Sequence, residues 1–470
     1  YERKNTKAET PLQRIRHFHE FKTSLPVKEQ QKQGGRCMDC GVPFCQNGSL
    51  LAGMTSGCPL HNLVPETNDL IYRGNWKQAY ERLEKTHCFP EFTGRVCPAL
   101  CEAACTCGLN QEAVASKSNE YAIIENAYEM GYAKANPPKV RTGKKVAVIG
   151  SGPSGLTCAG DLAKLGYDVT IFEALHEPGG VLTYGIPEFR LPKSTVVRSE
   201  VENVKKLGVK IETDVVIGKS VTIDDLMDEE GFEAVFIGSG AGLPRFMGIP
   251  GENANGVFSA NEYLTRNNLM KAFRDDYDTP IVAGKKVAVV GGGNVAMDAA
   301  RTALRLGAEV HIVYRRSEAE LPARAEEVHH AKEEGIIFDL LTNPVEILTD
   351  ENDWVKGIKV IKMELGEPDA SGRRRPVEVP GSEYVMDVDT VIMSLGTSPN
   401  PLISNTTEGL EINKRRCIVA EPENGQTSRE GVFAGGDAVT GAATVILAME
   451  AGKHGAKGIH EYLTKKHQNA

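Results

Sequence analysis

The chain has 470 residues, which predicts about three domains at roughly 150 residues each. Its 54 Lys and Arg against 63 Asp and Glu leave a formal net charge of −9, and a mildly acidic chain lacks the positive field that gathers nucleic acid. The longest apolar runs, such as residues 146–149, fall far short of the roughly 18 residues that span a bilayer. The composition therefore argues against a nucleic-acid partner and against a membrane span.

The cysteines are concentrated near one end of the chain. Nine of the eleven lie between residues 37 and 107, and only Cys158 and Cys417 lie elsewhere. The N-terminal segment is charged and shows no apolar run of the kind that directs secretion, so we expect a cytoplasmic protein. Where the compartment is not oxidising, clustered cysteines indicate metal or redox chemistry rather than disulfide bonds.

The chain divides near residue 143. The part before it reads as short helical pieces broken by proline and glycine, and it ends in a polar, proline-containing linker at 136–143. Two similar passages follow at 144–150 and 285–291, each a run of strand-forming residues that ends in a glycine-rich turn. We predict a mostly helical domain over 1–143 and, after it, two copies of one nucleotide-binding unit.

The first glycine-rich turn has the spacing of a dinucleotide-binding fingerprint. The pattern G-x-G-x-x-G opens a helical stretch, and the next strand ends in an acidic residue roughly 20 positions on. Glycines permit the tight turn and let a pyrophosphate approach the helix N-terminus, where unpaired N–H groups favour anions. The carboxylate can bind a ribose diol. The candidate contacts are Gly150, Gly152, Pro153, Gly155 and Glu173.

The second glycine-rich turn differs from the first at the end of its second strand. The strand ends in Arg315 and Arg316 where the first copy has its carboxylate. A carboxylate would repel a 2′-phosphate, whereas arginine binds one through charge-assisted, fork-shaped hydrogen bonds. We therefore predict NADP(H) at this site. The other candidate contacts are Gly291, Gly293, Asn294, Val295 and Ala296.

A third glycine motif, around Gly436 and Asp437, follows a short strand late in the chain. The order of the three motifs resembles flavoproteins with two dinucleotide domains, in which the NADP domain is inserted into the FAD domain and the late aspartate binds FAD. This resemblance implies an α/β fold with two Rossmann-like domains. The implied FAD domain covers 144–245 and 392–470, and the implied NADP(H) domain covers 246–391.

The loop after the first nucleotide unit, residues 179–193, carries two further candidate FAD contacts, Gly180 and Arg190. Disulfide reductases of this superfamily have a redox cysteine pair just after that unit, and this loop contains no cysteine. Electrons must therefore leave the flavin by another route.

The clustered cysteines offer that route. Cys37, Cys40 and Cys45 follow a C-x2-C-x4-C pattern, and two later cysteines precede proline, as in bacterial ferredoxins. Four-cysteine zinc sites also begin with C-x2-C, so a zinc-stapled, non-enzymatic scaffold is an alternative. A redox-silent zinc domain would leave the flavin without an electron exit. Iron–sulfur clusters would supply one, because a flavin can take up a two-electron hydride and pass its electrons singly to clusters.

Three segments then closely resemble the small subunit of NADPH-dependent glutamate synthase: RCMDCGVPFC at 36–45, SGCPL at 56–60 and FPEFTGRVCP at 89–98. The resemblance implies two four-iron four-sulfur clusters in the N-terminal domain. It also implies a larger catalytic partner subunit that receives the electrons, because 470 residues leave no room for a second catalytic domain. The implied ligands are Cys37, Cys40, Cys45 and Cys105 for one cluster, and Cys58, Cys97, Cys101 and Glu120 for the other.

Two other segments resemble a different family. YGIPEFRLPK at 184–193 and SANEYL at 259–264 look more like the NADP(H)-binding large subunit of flavin-based electron-bifurcating transhydrogenases. That resemblance implies smaller flavin- or NAD-binding partners, with ferredoxin as a further possibility. Both interpretations share the chemistry at FAD and NADP(H), and they differ in the partner and in the direction of electron flow.

Overall fold

Helices dominate the N-terminal domain of the computed structural model, which describes residues 1–51, 54–368 and 372–468. The elements of this domain are β1 Lys7–Ala8, α1 Pro11–Arg14, β2 Lys22–Thr23, α2 Val27–Gly34, β3 Ser49–Leu51, β4 Met54–Ser56, α3 Val64–Tyr72, α4 Trp76–Leu83, α5 Pro90–Val96, α6 Leu100–Ala103 and α7 Ser116–Glu129. α3, α4 and α7 pack together through a small apolar core that includes Ile71 and Leu83. The domain is mostly helical, as predicted.

A parallel sheet follows, and two of its inner strands, Lys145–Ile149 and Ala234–Ile237, are almost entirely buried. Its elements are β5 Lys145–Ile149, α8 Pro153–Lys164, β6 Asp168–Phe172, α9 Val181–Tyr184, α10 Arg198–Lys206, β7 Lys210–Glu212, α11 Ile223–Asp228 and β8 Ala234–Ile237. β5 pairs in parallel with β6 and with β8, and β6 pairs with β7. Continuous apolar strands such as β5 suit a sheet that is covered by helices on both sides.

The chain then enters a second parallel sheet that carries an antiparallel arm. The elements are β9 Leu243–Pro244, β10 Val257–Ser259, α12 Ala260–Asn268, β11 Lys286–Val290, α13 Asn294–Arg305, β12 Glu309–Tyr314, α14 Ala325–Glu333, β13 Ile337–Leu340, the arm strands β14 Thr342–Thr349, β15 Val355–Pro368, β16 Arg374–Glu378 and β17 Tyr384–Met386, and finally β18 Thr390–Met393. β18 lies between β10 and β11, in the order β10-β18-β11-β12-β13.

The last segment returns to the first sheet. Its elements are β19 Thr397–Ser398, α15 Leu402–Asn405, β20 Val432–Ala434, α16 Asp437–Thr440 and α17 Val445–Gln468. β20 pairs with β8, so the first sheet has the order β20-β8-β5-β6-β7. The second domain is therefore inserted into the first, as predicted. The two connections between the domains run side by side, because β9 and β19 pair antiparallel. The second connection begins after residue 393, slightly beyond the predicted boundary at 391.

The N-terminal domain packs against the first sheet's domain through a shared apolar core. Phe89 and Phe92 from the helical domain join the cluster that contains Leu156 of α8 and Val201 of α10. Among the described residues, no helix combines the length and apolar character that crossing a membrane requires.

Candidate functional site

The three glycines of the first turn are required or allowed for different structural reasons. Gly150 has a φ of +94°, and a Cβ there would lie 2.6 Å from the carbonyl oxygen of Gly238. A Cβ on Gly155 would lie only 1.9 Å from the carbonyl oxygen of Gly150, so this glycine allows α8 to pack on β5. A Cβ on Gly152 would meet nothing within 4 Å, so the backbone at the start of α8 faces open space. A turn that exposes helix N–H groups fits a dinucleotide pyrophosphate.

Glu173 lies next to this turn at the end of β6. Its side chain is buried and accepts hydrogen bonds from the backbone N–H of Ser151 at 3.0 Å and of Leu175 at 2.9 Å. Gly180, at a φ of +55°, brings the following loop over the turn, since a Cβ there would lie 2.8 Å from the Cα of Gly152. The structure therefore brings Glu173, the glycine turn and Gly180 together.

The late glycine motif also reaches this turn. A Cβ on Gly436 would lie 2.8 Å from the hydroxyl of Ser154 in α8. Asp437 begins α16, and burial raises the pKa of its carboxyl to about 6. Burial, with the nearby carboxylates of Asp437 and Glu173, raises the pKa of Tyr184 to about 12. Tyr184 thus lies near both predicted FAD carboxylates.

Arg190 lies apart from the glycine turn. Its Nη1 contacts both carboxylate oxygens of Asp298 at 2.8 Å, and its Nη2 lies 3.3 Å from Glu327. Both partners belong to the inserted domain, on α13 and α14. The side chain predicted to contact FAD therefore ties the flavin loop to the nucleotide domain in this structure.

The second glycine turn repeats the geometry of the first. Gly291 has a φ of +137°, and a Cβ there would lie 2.2 Å from the carbonyl oxygen of Ser394. A Cβ on Gly293 would meet nothing within 4 Å. Asn294 and Val295 are exposed at the start of α13, whereas Ala296 is fully buried. The open side of this turn also fits a pyrophosphate.

The two arginines after β12 have different environments. Arg315 is exposed beside the turn. Arg316 is buried, and its Nε donates to the carbonyl oxygen of Arg374 on the antiparallel arm at 2.9 Å. Arg315 is therefore the arginine whose position suits a 2′-phosphate.

The thiols of the N-terminal domain gather in two groups. The first, which we term the outer cysteine group, consists of Cys37, Cys40, Cys45 and Cys105, all partly exposed. Burial, and the proximity of the other three thiols, raises the pKa of Cys45 to about 12. Thiols this close together ionise together only when a cation shares them, which fits a cluster site.

The second group, termed the inner cysteine group, consists of Cys58, Cys97 and Cys101 with Glu120. These side chains line one cavity, together with Ile446 from α17 of the first sheet's domain. Burial and the nearby Glu120 raise the pKa of Cys97 to about 11, and burial raises that of Cys58 to about 12. Three thiols and a carboxylate around one cavity fit an iron–sulfur cluster.

Cys88 and Cys107 lie outside both predicted ligand sets. Cys107 is buried and accepts a hydrogen bond from Gln111 at 3.1 Å. Burial raises the pKa of Cys88 to about 12, and its charged neighbours Asp161 and Lys453 belong to the first sheet's domain. Within the described ranges, no three His, Cys, Asp or Glu side chains converge on the position of a single metal ion.

Family models match both parts of the chain. The model described as pyridine nucleotide-disulphide oxidoreductase matches residues 140–454. The model described as dihydropyrimidine dehydrogenase domain II, 4Fe-4S cluster, matches residues 14–132. The chain belongs to the pyridine nucleotide-disulphide oxidoreductase family. It carries a 4Fe-4S domain followed in sequence by an FAD- and NADP-binding oxidoreductase domain, as predicted. The loop 179–193 nevertheless lacks a redox cysteine pair.

Relatives within this oxidoreductase family match nearly the whole chain. The glutamate synthase [NADPH] small chain of Bacillus subtilis is 37% identical, over 96% of this chain and 95% of its own. The corresponding small chain of Escherichia coli is 38% identical, with 96% and 95% covered. Subunit beta of the NADP(+)-dependent formate dehydrogenase of Moorella thermoacetica is 39% identical, with 86% of this chain and 59% of its own covered. The resemblance to glutamate synthase small subunits is confirmed.

Solved structures share the fold of the oxidoreductase part. FprA of Mycobacterium tuberculosis, in complex with NADPH, superposes with a TM-score of 0.58 at 19% identity, covering 70% of this chain and 86% of its own. Thioredoxin reductase of Lactococcus lactis superposes with a TM-score of 0.53 at 21% identity, covering 68% and 99%. The predicted α/β architecture of two Rossmann-like domains is confirmed.

Sequence reasoning missed several side chains that shape these sites. Ser151 binds Glu173 against the first turn, and Ser154 lies where the late motif approaches α8 at Gly436. Gly452 of α17 allows close packing on α8, because a Cβ there would lie 2.3 Å from the carbonyl oxygen of Ser154. Glycine recurs every third residue in α17 at 452, 455 and 458, and this spacing is a signal that α17 packs closely against some other element, although it does not identify that element.

Proposed function

We propose that this protein is an electron-transfer subunit that exchanges electrons between NADP(H) and a larger partner through FAD and two 4Fe-4S clusters. The arrangement of the cysteines carries the proposal: four thiols form the outer group, and three thiols with Glu120 line the inner cavity. When bound, FAD supplies the conversion between a two-electron hydride and single-electron transfer. The predicted nucleotide and ligand residues named above are the residues that we propose hold these groups.

The order of the two cysteine groups follows from their surroundings. Ile446, at the start of α17, lines the inner cavity and belongs to the same domain as Gly152 and Asp437. The inner group thus adjoins the FAD domain and includes the buried Cys58, whereas all four thiols of the outer group are partly exposed. We infer that electrons pass between the flavin and the inner cluster first, and between the outer cluster and the partner last.

Exposed apolar side chains near the outer group in the sequence support docking of a partner there. Seven large apolar side chains near this group in the sequence are at least 50% exposed, and contiguous apolar surface is typical of protein interfaces. A redox partner that covers these side chains would bring its own cofactor close to the outer cluster. The side chains are Met38, Val42, Phe44, Leu50, Leu51, Met54 and Leu109.

The cofactor content is tested by anaerobic purification. The proposal expects a yellow-brown protein with FAD, about eight iron atoms per chain as two four-iron clusters require, and an absorbance that NADPH bleaches. Cys45→Ser and Cys101→Ser should each remove one cluster, whereas Cys107→Ser, in the same domain, should keep both. A colourless, zinc-containing protein would instead support the non-enzymatic scaffold.

The partner is tested by co-purification from the native host. We propose the large subunit of a glutamate synthase, because small chains of that enzyme match over nearly the whole length. A large partner with amidotransferase activity supports this assignment. A second candidate is a complex with smaller flavin- or NAD-binding subunits, because the segments at 184–193 and 259–264 resemble the bifurcating transhydrogenases. Isolation of such subunits with ferredoxin-dependent NADP+ reduction would establish the bifurcating transhydrogenase instead.

A further inference from the structure

Glu120 of the inner cysteine group is held by a chain of buried side chains behind it. Its Oε1 accepts a hydrogen bond from the hydroxyl of Thr93 and lies 3.4 Å from Nε2 of His87. Both His87 and Thr93 are 1% exposed, and neither lines the cavity of the inner group. They therefore contact Glu120 without lining the cavity that the thiols share.

The donors and acceptors in this series of hydrogen bonds follow from the contacts of His87. The backbone N–H of Phe89 donates to Nδ1 of His87 at 3.2 Å, so the proton of the neutral ring lies on Nε2. Nε2 lies 2.7 Å from the hydroxyl oxygen of Thr93 and donates to it. The hydroxyl of Thr93 lies 3.4 Å from the carbonyl oxygen of Pro90 and much closer to Oε1 of Glu120, so its single proton is directed to Glu120.

The other oxygen of Glu120 has its own fixed donor. Nδ2 of Asn62 donates to Oε2 at 3.3 Å. The amide of Asn62 is itself oriented, because its Oδ1 accepts from the hydroxyl of Thr86 at 2.8 Å. Each carboxylate oxygen retains a second lone pair, so both can be held by donors while one binds iron.

We propose that Thr93, oriented by His87, is a positioning residue that holds Glu120 as the fourth ligand of the inner cluster and tunes the cluster's potential. This inference rests on the proposed function, in which Glu120 is that ligand. A hydrogen bond to a metal ligand withdraws negative charge from it and favours the reduced metal, so the bond from Thr93 raises the reduction potential.

The test replaces the hydroxyl of Thr93 and measures both clusters by an EPR-monitored redox titration under anaerobic conditions. Thr93→Val, of nearly the same shape, should shift the potential of one cluster to more negative values and change its EPR signature. Thr93→Ser should restore both. Thr67→Val is the matched control, because Thr67 lines the same cavity but its hydroxyl bonds to the carbonyl of Val64 at 3.0 Å.

Parent-like potentials and EPR signatures in Thr93→Val would overturn the inference while leaving the proposed function standing. If Thr93→Val does not retain FAD, His87→Phe tests the chain from its other end, and parent-like potentials in that variant overturn the inference equally. Two intact cluster signals in Glu120→Ala would remove Glu120 from the ligands and the inference with it. A parent protein without iron would overturn the proposed function as well.

Discussion

The two glycine turns differ in the side chains that follow the second strand of each unit. At the first site a buried carboxylate, Glu173, follows the second strand, and at the second site arginines stand in the same position. The sequence separates the two sites by charge alone. The structure adds that the two arginines are not equivalent, because Arg316 is used to hold the antiparallel arm and Arg315 remains exposed.

Replacing Arg315 by alanine should raise the KM for NADPH about tenfold or more and leave the KM for NADH nearly unchanged. The physical reason is the loss of a charge-assisted hydrogen bond to the 2′-phosphate, worth about 1.5–3 kcal/mol. Steady-state kinetics with both nucleotides measures this. Arg73→Ala, which removes an exposed arginine of the N-terminal domain, controls for net charge. An unchanged NADPH to NADH ratio in Arg315→Ala would contradict the assignment.

The raised pKa of Asp437 predicts that the stability of the FAD-free protein depends on pH. The carboxyl of Asp437 has a folded pKa of about 6 against an ordinary value of 3.8, so between these values the folded state binds more protons than the unfolded state. Stability should therefore fall as pH rises from about 4 through 6. Thermal unfolding of the FAD-free protein across this range measures the slope, and Asp437→Asn should flatten it. An equal slope in parent and variant would show that other groups cause it.

At the scale of the elements, glycine spacing predicts the tight turns after β5 and β11, because a missing Cβ is a local requirement. Gly150 and Gly291 have positive φ values, and Gly155 sits where β5 and α8 nearly touch. The packing of α17 on α8 was not predicted, because the contact joins segments almost 300 residues apart. No local pattern shows which helix meets the stripe of glycines that begins at Gly452.

Gly155→Ala should abolish FAD binding, because the new Cβ would lie 1.9 Å from the carbonyl oxygen of Gly150 and would force the turn open. The FAD content of the purified variant measures this. Gly160→Ala is the control in the same helix. A Cβ there meets nothing within 4 Å, and alanine in a helix interior is about 0.5–1 kcal/mol more favourable than glycine. Retention of FAD by Gly155→Ala would show that the turn can relax.

At the scale of the whole molecule, a buried network of charges joins the N-terminal segment to the inserted domain. Glu334 accepts from Arg14 of α1 at 2.7 Å, from Arg301 of α13 at 2.9 Å and from Arg305 at 2.9 Å. Burial opposes ionisation of Glu334, but Arg301 and Arg305 lower its pKa to about 2. The guanidinium of Arg301 also lies over the rings of Phe21 and Phe189. This network fixes the inserted domain against its neighbours.

Glu334→Gln should destabilise the protein by about 3–5 kcal/mol at pH 7, because it leaves three buried guanidinium groups without their shared carboxylate. Differential scanning calorimetry should show a lower unfolding temperature. Asp69→Asn breaks the exposed pair with Arg73 and should change stability by less than about 1 kcal/mol. Equal unfolding temperatures for Glu334→Gln and the parent would mean that the network contributes little.

The sequence by itself determined the α/β class with two Rossmann-like domains, the mostly helical 4Fe-4S domain that precedes them and the positions of the tight glycine turns, because each depends on residues that are close together in the chain. Turn glycines, strand ends and closely spaced cysteines act over a few residues, so their spacing is enough. Only the tertiary structure decided that Arg190 binds Asp298, that the inner cysteine group adjoins α17, and that His87 and Thr93 hold Glu120. These contacts join separate elements, and packing between elements sets them.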